Sequence, residues 1–445
     1  MKSILILGAG LSASSMIRYL LNHAEANNWH LRIVDQDVNL VNRKINGHPN
    51  ATALSFNALD SVERRPEINN ADLVISMLPA RFHVEVAKDC LELKTDLITP
   101  SYISPEMRAL NDEAIEQGVL IMNEIGVDPG IDHMSAMKII HEIQRKGGKL
   151  YSFKSFCGGL IAPESDDNPW HYKFTWNPRN VVLAGQGGAA TFVHNSEYKY
   201  IPYNRLFDRL NEIEIEGYGK FEGYPNRDSL SYRTTYGLEN IPTLYRGTLR
   251  KPNYCKGWHV FIELGMTDDT YKMTQSELLT PRAFLNAFLP YNEDLTVEEK
   301  FKNFLREDRM YLYEQFEWLG VFEKDSSFGF ENASPAQLLE KLLTSKWVLK
   351  EADKDMLVMY HEFEFEINNS KKKITSSMIN IGEDQTYTSM SNTVGLPVAI
   401  AAKMILKGEV TEKGVTLPIN PEIYEPILAE LASYDIRFIE KEFEI

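Results

Sequence analysis

Ser3-Ile-Leu-Ile-Leu-Gly8-Ala-Gly10-Leu-Ser-Ala13 is the stretch whose reading decides the fold. Its first five residues form a continuous run rich in apolar side chains, the pattern of a strand buried on both faces. A G-x-G-x-x-A loop follows, then a helical stretch over 12–24 with Met16, Ile17 and Leu20 on one face. Leu31-Arg-Ile-Val34 reads as a second strand that ends in Asp35. Each part has a use in dinucleotide binding. Gly8 allows the tight turn, Gly10 lets the backbone approach a pyrophosphate, and Ala13 lets the helix sit close to the strand. The helix N-terminus offers unpaired N–H groups to phosphate, and the acid after the second strand accepts from a ribose hydroxyl. Asp35 would repel a 2′-phosphate, Asp37 is close by, and no Arg follows directly. Arg43, the nearest basic residue, reads as part of a solvated helix face. The expected cofactor is therefore NAD(H) rather than NADP(H).

The alternation continues outward. Asp72-Leu-Val-Ile-Ser-Met-Leu78, Asp96-Leu-Ile-Thr99 and Val119-Leu-Ile-Met122 read as strands, with helices over 84–93 and 104–117 between them. Ser104 is the N-cap of the second helix and Pro105 its first residue. Repeated units of this length predict an α/β fold, a Rossmann-type doubly wound parallel sheet with ligands at the carboxyl ends of its strands. Leu78-Pro79-Ala80, Pro100-Ser101-Tyr102 and residues 123–129 then surround one cleft. From about 150 to 265 the composition turns to aromatic and β-branched strands with Gly/Pro turns. Residues 270–345 are richer in helical patterns, including 298–305 and 335–343. Stretches 363–367, 374–381 and 385–390 read as antiparallel strands, and 393–406 as an apolar helix stopped near Gly408. The expected domains are 1–126, completed by about 393–445; an α+β substrate and dimerisation domain over 127–392; and a small helical insertion at about 270–345.

The chain has 445 residues, 43 % hydrophobic and 25 % charged, with 47 Lys plus Arg against 63 Asp plus Glu. A formal charge of −16 repels phosphate backbones and acidic lipid, so neither nucleic acid nor a membrane is an expected partner. An anionic substrate would need a local cluster of Arg or Lys. Cys90, Cys157 and Cys255 are far apart, with no sign of a disulfide framework. No run approaches the roughly 18 apolar residues of a membrane span, and the expected location is cytoplasmic. His133 and His141 share a helix with Glu142, but their spacing is two turns and no third ligand is placed, so no metal is expected.

Tyr102-Ile-Ser-Pro105, Asn123-Glu-Ile-Gly-Val-Asp-Pro-Gly-Ile-Asp-His133 and Cys157-Gly-Gly-Leu-Ile-Ala-Pro-Glu164 closely resemble the saccharopine reductase family, the L-glutamate-forming saccharopine dehydrogenases. So do Asn168-Pro169, Tyr172-Lys-Phe174, Tyr224-Pro-Asn-Arg-Asp-Ser229 and Arg246-Gly-Thr-Leu-Arg250, in the family's order. Beyond about 260 the likeness is chiefly the Thr393-Val-Gly-Leu-Pro397 helix entry. The resemblance implies a homodimeric three-domain enzyme on a small amino-acid substrate. It interconverts saccharopine with L-glutamate and 2-aminoadipate 6-semialdehyde, by hydride transfer to or from an imine carbon. Carried over by motif, the cofactor residues are Gly8, Ala9, Gly10, Leu11, Ser12, Asp35, Gln36, Asp37, Asn57, Ala58, Leu78, Pro100, Ser101, Val127, Asp128, Pro129 and Thr175. The substrate residues are Ser101, Tyr102, Asp128, Arg227, Thr248, Leu249 and Arg250. Two features depart from the fungal members, which carry a basic residue after the second strand and use NADP(H), and which are helix-like where this chain has Gly185-Gln-Gly-Gly188. That glycine-rich stretch reads as a structural turn rather than a second dinucleotide loop.

Saccharopine carries three carboxylates, and burying them unpaired costs several kcal/mol each. Arg227 and Arg250 suit them, since a guanidinium grips a carboxylate in a fork. Imine reduction also needs a proton near nitrogen and an acid–base for the carbinolamine. Asp128 and Tyr102 are the candidates, with Cys157 lining the site. The plainer alternatives are a turn-forming Asp before Pro129, a packing tyrosine and an inert buried thiol. Two other functions stay open: a carboxynorspermidine-synthase-like reductive amination, which would call for acids rather than two arginines, and a non-catalytic NADH sensor, which would lack a proton donor.

Overall fold

Lys2–Leu7 (β1) is buried from Ile4 onward and pairs on both sides, which is why its apolar run is unbroken. Around it lie β2 (Trp29–Val34), β3 (Ala51–Leu54), β4 (Leu73–Ser76), β5 (Asp96–Ile98) and β6 (Leu120–Met122). In the computed structural model, which describes residues 1–184, 186 and 188–445, the order across the sheet is β3-β2-β1-β4-β5-β6, and the strand Gly414–Thr416 extends it beside β6. Among the described residues all seven strands are parallel. The order reverses direction between β1 and β4, the switch point where such sheets bind ligands.

The C-terminal segment belongs to this first unit, Met1–Leu150 with Met359–Ile445. Helix Ser389–Lys407 packs on helix Ser14–Asn27. By length and composition it could cross a membrane, but 78 % of its apolar window is buried, so it is a core helix here. The approach is close: a Cβ at Gly395 would lie 2.9 Å from the Met16 backbone nitrogen. Ser15 donates through N–H to Ser391 Oγ at 2.9 Å and through Oγ to Asn392 Oδ1 at 2.5 Å.

Several elements differ from the sequence reading. Residues 385–390 are not a strand. Asp384 Oδ1 accepts from the N–H groups of Thr386 and Tyr387, and Thr388 caps helix Ser389–Lys407 by accepting from Ser391 N–H. Local side-chain acceptors outcompete strand pairing there. The helix expected over 104–117 is two, Pro105–Arg108 and Asn111–Gln117. The chain divides into two compact units at 150/151 and 358/359. Helix Ile131–Arg145 stays with the first unit because it packs on helix Pro421–Leu431, with His141 Nδ1 2.9 Å from Tyr424 Oη.

The second unit, Tyr151–Val358, is built on β7 (Lys149–Ile161), β8 (Ala190–His194), β9 (Glu197–Ile201), β10 (Asn211–Ile215), β11 (Gly219–Pro225) and β12 (Thr243–Arg250). The order β10-β11-β12-β7 is antiparallel except for the parallel β12–β7 pair. Helices Val297–Leu305 and Pro335–Lys346 in the expected insertion each open with a capping box. Trp170, Trp258 and Trp347 are fully buried in this unit, and the Trp170 indole N–H donates to Gln315 O at 2.8 Å.

Candidate functional site

In the first unit the carried-over cofactor positions gather at the carboxyl ends of successive strands. Gly8, with φ +100°, sits where a Cβ would meet the Met77 carbonyl at 3.2 Å. A Cβ at Gly10 would point into open space, so the backbone before the 3-10 turn Leu11–Ala13 is open to a pyrophosphate. Leu11 is exposed and Ser12 half-buried in that turn. Asn57 and Ala58 follow β3, Leu78 follows β4, Pro100 and Ser101 follow β5, and Val127, Asp128 and Pro129 follow β6. These surroundings fit a dinucleotide: a cradle of glycine backbone with a ring of strand ends beside it.

Asp35 is placed differently from the sequence reading. Its Oδ2 accepts from Ala9 N–H at 2.9 Å and its Oδ1 from Asp37 N–H at 3.1 Å. Asp37 in turn caps helix Val38–Ile45 through the N–H groups of Asn39 and Leu40, and Gln36 is exposed between them. Lys44, which the sequence did not single out, reaches back to the glycine loop. Its Nζ donates to Gly10 O at 2.6 Å and Ser14 Oγ at 2.7 Å, and burial pushes its pKa down to about 8.

The acid–base candidates meet in this unit. Tyr102 donates through its hydroxyl to Asp128 Oδ1 at 2.9 Å. Ser101 Oγ lies 2.8 Å from His83 Nε2, whose Nδ1 is 2.9 Å from Ser76 Oγ. Burial pushes the His83 pKa down to about 4, so the imidazole is neutral and acts as a fixed hydrogen-bonding strut. Nothing in the sequence pattern marked His83, because its partners, Ser76, Thr99 and Ser101, come from two strand ends.

The second unit presents a separate set. Strand register puts Tyr224, Thr248 and Cys157 in one row across β11, β12 and β7, with Cys157 buried. Arg250 lies two residues beyond Thr248, on the same face. It is only 5 % exposed, and its guanidinium carbon sits 5.3 Å from the ring centres of Tyr172 and Tyr254 and 5.9 Å from that of Tyr224. Nη1 donates to Leu249 O at 2.8 Å; Nε is buried without a partner. Among the described residues no carboxylate pairs with it. A buried guanidinium with no ion-paired carboxylate can pair with an anion that enters. Leu249 contributes its carbonyl while its backbone closes on Gly158, where a Cβ would lie 2.5 Å from Leu249 O. Arg227 is exposed and lines a small cavity of about 50 Å³ with Tyr224, Asn226 and Thr248. Thr175 is buried with its Oγ1 unpartnered. The turn reading of the 185–188 stretch falls on Gly185 and Gly187, outside the described residues.

Residues 4–122 match the model described as the saccharopine dehydrogenase NADP binding domain, and 126–436 the saccharopine dehydrogenase C-terminal domain. The chain is 35 % identical to saccharopine dehydrogenase [NADP(+), L-glutamate-forming] of Saccharomyces cerevisiae and 33 % to that of Schizosaccharomyces pombe, covering 99 % of both chains in each case. The solved apo saccharopine dehydrogenase (L-Glu forming) from Saccharomyces cerevisiae superposes with a TM-score of 0.90 at 32 % identity over 100 % of both chains. These names overturn the expectation of NAD(H): the relatives are NADP(+) enzymes and the matching N-terminal model is an NADP binding domain. The structure shows why Asp35 misled. Both of its oxygens hold backbone N–H groups, so it braces the loop, and a basic pair, Arg43 and Lys44, sits on the following helix.

Proposed function

The chain belongs to the saccharopine dehydrogenase family, and on that premise we propose that it is an NADP(H)-dependent oxidoreductase of the CH–NH group. Saccharopine, NADP+ and water give L-glutamate, 2-aminoadipate 6-semialdehyde, NADPH and a proton, and the reaction is reversible. The observation that carries the reading is Arg250, a buried cation with three tyrosine rings about it and, among the described residues, no ion-paired carboxylate, matched to a substrate with three carboxylates. Arg227, with Thr248, is the second anchor. A carboxynorspermidine-type substrate brings one carboxylate where saccharopine brings three, and would leave Arg227 or Arg250 without an anion, which disfavours that reaction.

A bound nicotinamide would supply the acceptor for the hydride that leaves the carbon beside the secondary amine. Asp128 takes the proton released from that nitrogen. It passes that proton to solvent as the one released overall, then removes a proton from the water that adds to the imine carbon, returns it to nitrogen, and takes the hydroxyl proton as the carbon–nitrogen bond breaks to give aldehyde and amine. Tyr102, donating to Asp128 Oδ1, holds the carboxylate in one orientation through these exchanges. Cys157 lines the substrate row without a proton role. A homodimer belongs to the same proposal, and light scattering in solution tests it.

The experiment is a saccharopine titration of the purified protein with NADP+, followed by the absorbance of reduced nicotinamide. Saccharopine-dependent reduction, with glutamate and the semialdehyde as products, is expected. No reduction at any saccharopine concentration, with cofactor binding intact, would leave a cofactor-binding protein without turnover and refute the proposal.

A further inference from the structure

Glu124 is a buried acid, 1 % exposed, in a positive-φ backbone conformation (φ +56°) that costs a residue with a side chain about 1 kcal/mol or more. Nothing in the proposed chemistry uses it. Its carboxylate nevertheless joins the two segments that carry the acid–base pair. Oε1 accepts from Ile103 N–H at 2.9 Å, beside Ser101 and Tyr102. Oε2 lies 2.7 Å from His133 Nε2, and since an ionised carboxylate only accepts, the imidazole donates there. The Glu124 N–H donates to Ser101 O at 3.1 Å. His133 is fully buried at the start of helix Ile131–Arg145, and its neighbour Asp132 closes the Asp128 loop. Asp132 Oδ1 accepts from Gly130 N–H at 2.6 Å, and Asp132 N–H donates to Val127 O at 3.1 Å. That loop is fixed in shape: a Cβ at Gly130 would lie 2.1 Å from Gly126 O.

We propose that Glu124 and His133 are positioning residues for the Tyr102–Asp128 pair, the Glu124 carboxylate locking the segment after β5 to the loop after β6. The argument rests on the function proposed above, in which Asp128 and Tyr102 handle the proton. A carboxylate with one oxygen on each segment makes their separation a fixed quantity, and a displacement of about 1 Å at reacting groups costs up to about a hundredfold in rate. A buried polar pair of this kind offers little net stability over an apolar one. Its value here is that it sets a distance.

The test compares Glu124→Gln, His133→Leu and His133→Gln with wild type and Asp128→Asn, reading kcat, KM for each substrate, the pH profile of kcat and the circular dichroism spectrum. Glu124→Gln and His133→Leu are expected to lower kcat about 10- to 100-fold, with both KM values within about threefold and the acidic limb of the pH profile displaced. His133→Gln, whose amide can still donate to Glu124, is expected to recover most of the rate. Folded Glu124→Gln and His133→Leu proteins with kcat within twofold of wild type would overturn the proposal. So would loss of fold in both while Asp128→Asn folds, since that assigns the pair to structure alone. Absence of saccharopine activity in the wild type is a different result: it removes the function on which the proposal rests and rejects both.

Discussion

Replacing Arg250 with methionine separates binding from folding. Taking a cation out of water costs several kcal/mol after relaxation. Three ring faces at 5.3, 5.3 and 5.9 Å return ~0.5–2 kcal/mol each, and the bond to Leu249 O returns ~1–3 kcal/mol. The partnerless Nε costs ~1–3 kcal/mol. These opposing sums nearly cancel in the free protein. Methionine keeps the volume and makes sulfur–ring contacts of its own, so Arg250→Met is expected to leave the stability of the free enzyme within about 1 kcal/mol of wild type, or above it. That is a change in melting temperature of about 2–4 °C for a unit of this size.

Substrate binding should respond on another scale. Removing one partner of a buried, hydrogen-bonded charge pair costs ~2–5 kcal/mol, which is about 30- to 4,000-fold in an equilibrium constant. The assay is the KM of each substrate at saturating partner, by nicotinamide absorbance, beside a thermal melt with and without saccharopine. Saccharopine KM should rise by at least about 30-fold, NADP+ KM should stay within about twofold, and saccharopine should no longer raise the melting temperature. A variant that melts far lower yet keeps wild-type saccharopine KM would refute the reasoning, because the guanidinium would then be a core cation that serves its tyrosines.

Two further outcomes follow from the first unit. Gly395→Ala puts a Cβ 2.9 Å from Met16 N and 3.1 Å from Ser12 O, so helices 389–407 and 14–27 must part. We expect a loss of ~1–3 kcal/mol and a raised NADP+ KM, because the same helix start carries the glycine loop; an unchanged melting curve would contradict the packing described. His83 titrates near pH 4 when folded and near 6.5 when unfolded, so between those values the unfolded chain holds more protons. Stability contributed by the neutral imidazole is present above pH 6.5 and falls as pH drops to 4, by ~3 kcal/mol in all at about 1.36 kcal/mol per pH unit. Denaturant titrations across that window check it, and a nuclear magnetic resonance titration of His83 with a midpoint above pH 6 would sink it.

The parallel sheet was readable because β1 and β4 are buried on both faces, and burial of that kind writes an unbroken apolar run. β3 was not, since Ala51-Thr-Ala-Leu54 is only partly buried at the sheet edge and carries no such run. Gly414–Thr416 is three residues long and takes its register from β6, a partner almost 300 positions away. The candidate site shows the same division. Asp128 and Tyr102 lie at strand ends that the alternation located. The Tyr172, Tyr224 and Tyr254 rings come from three distant segments, and only folding brings them around Arg250. Asp35 was misread for a related reason: an acid after the second strand is an acceptor in any sequence, but whether it accepts from ribose or from Ala9 N–H depends on how the loop turns.

The surplus of sixteen negative charges says little about the ligand, and the geometry explains why. Surface charges are screened over about 8–10 Å at physiological ionic strength, whereas the Arg250 guanidinium is only 5 % exposed, where screening by salt is weak. The usual way to hold a buried cation is a carboxylate, as Asp89 holds Arg64 at 2.5 Å. A carboxylate bonded to the Arg250 guanidinium would make the resting protein more comfortable and would compete with every anion that entered. Ring faces attract the cation without neutralising it. The tyrosines therefore solve two requirements together: the free protein tolerates the charge, and the charge remains available. Phenylalanine at Tyr172 keeps the ring face while removing a hydroxyl that has no partner, whereas leucine removes the face. If the ring face is what matters, Tyr172→Phe should bind saccharopine like wild type and Tyr172→Leu should lose stability in the free enzyme; equal behaviour of the two variants would reject the cage as the reason this cation can stay buried and unpaired.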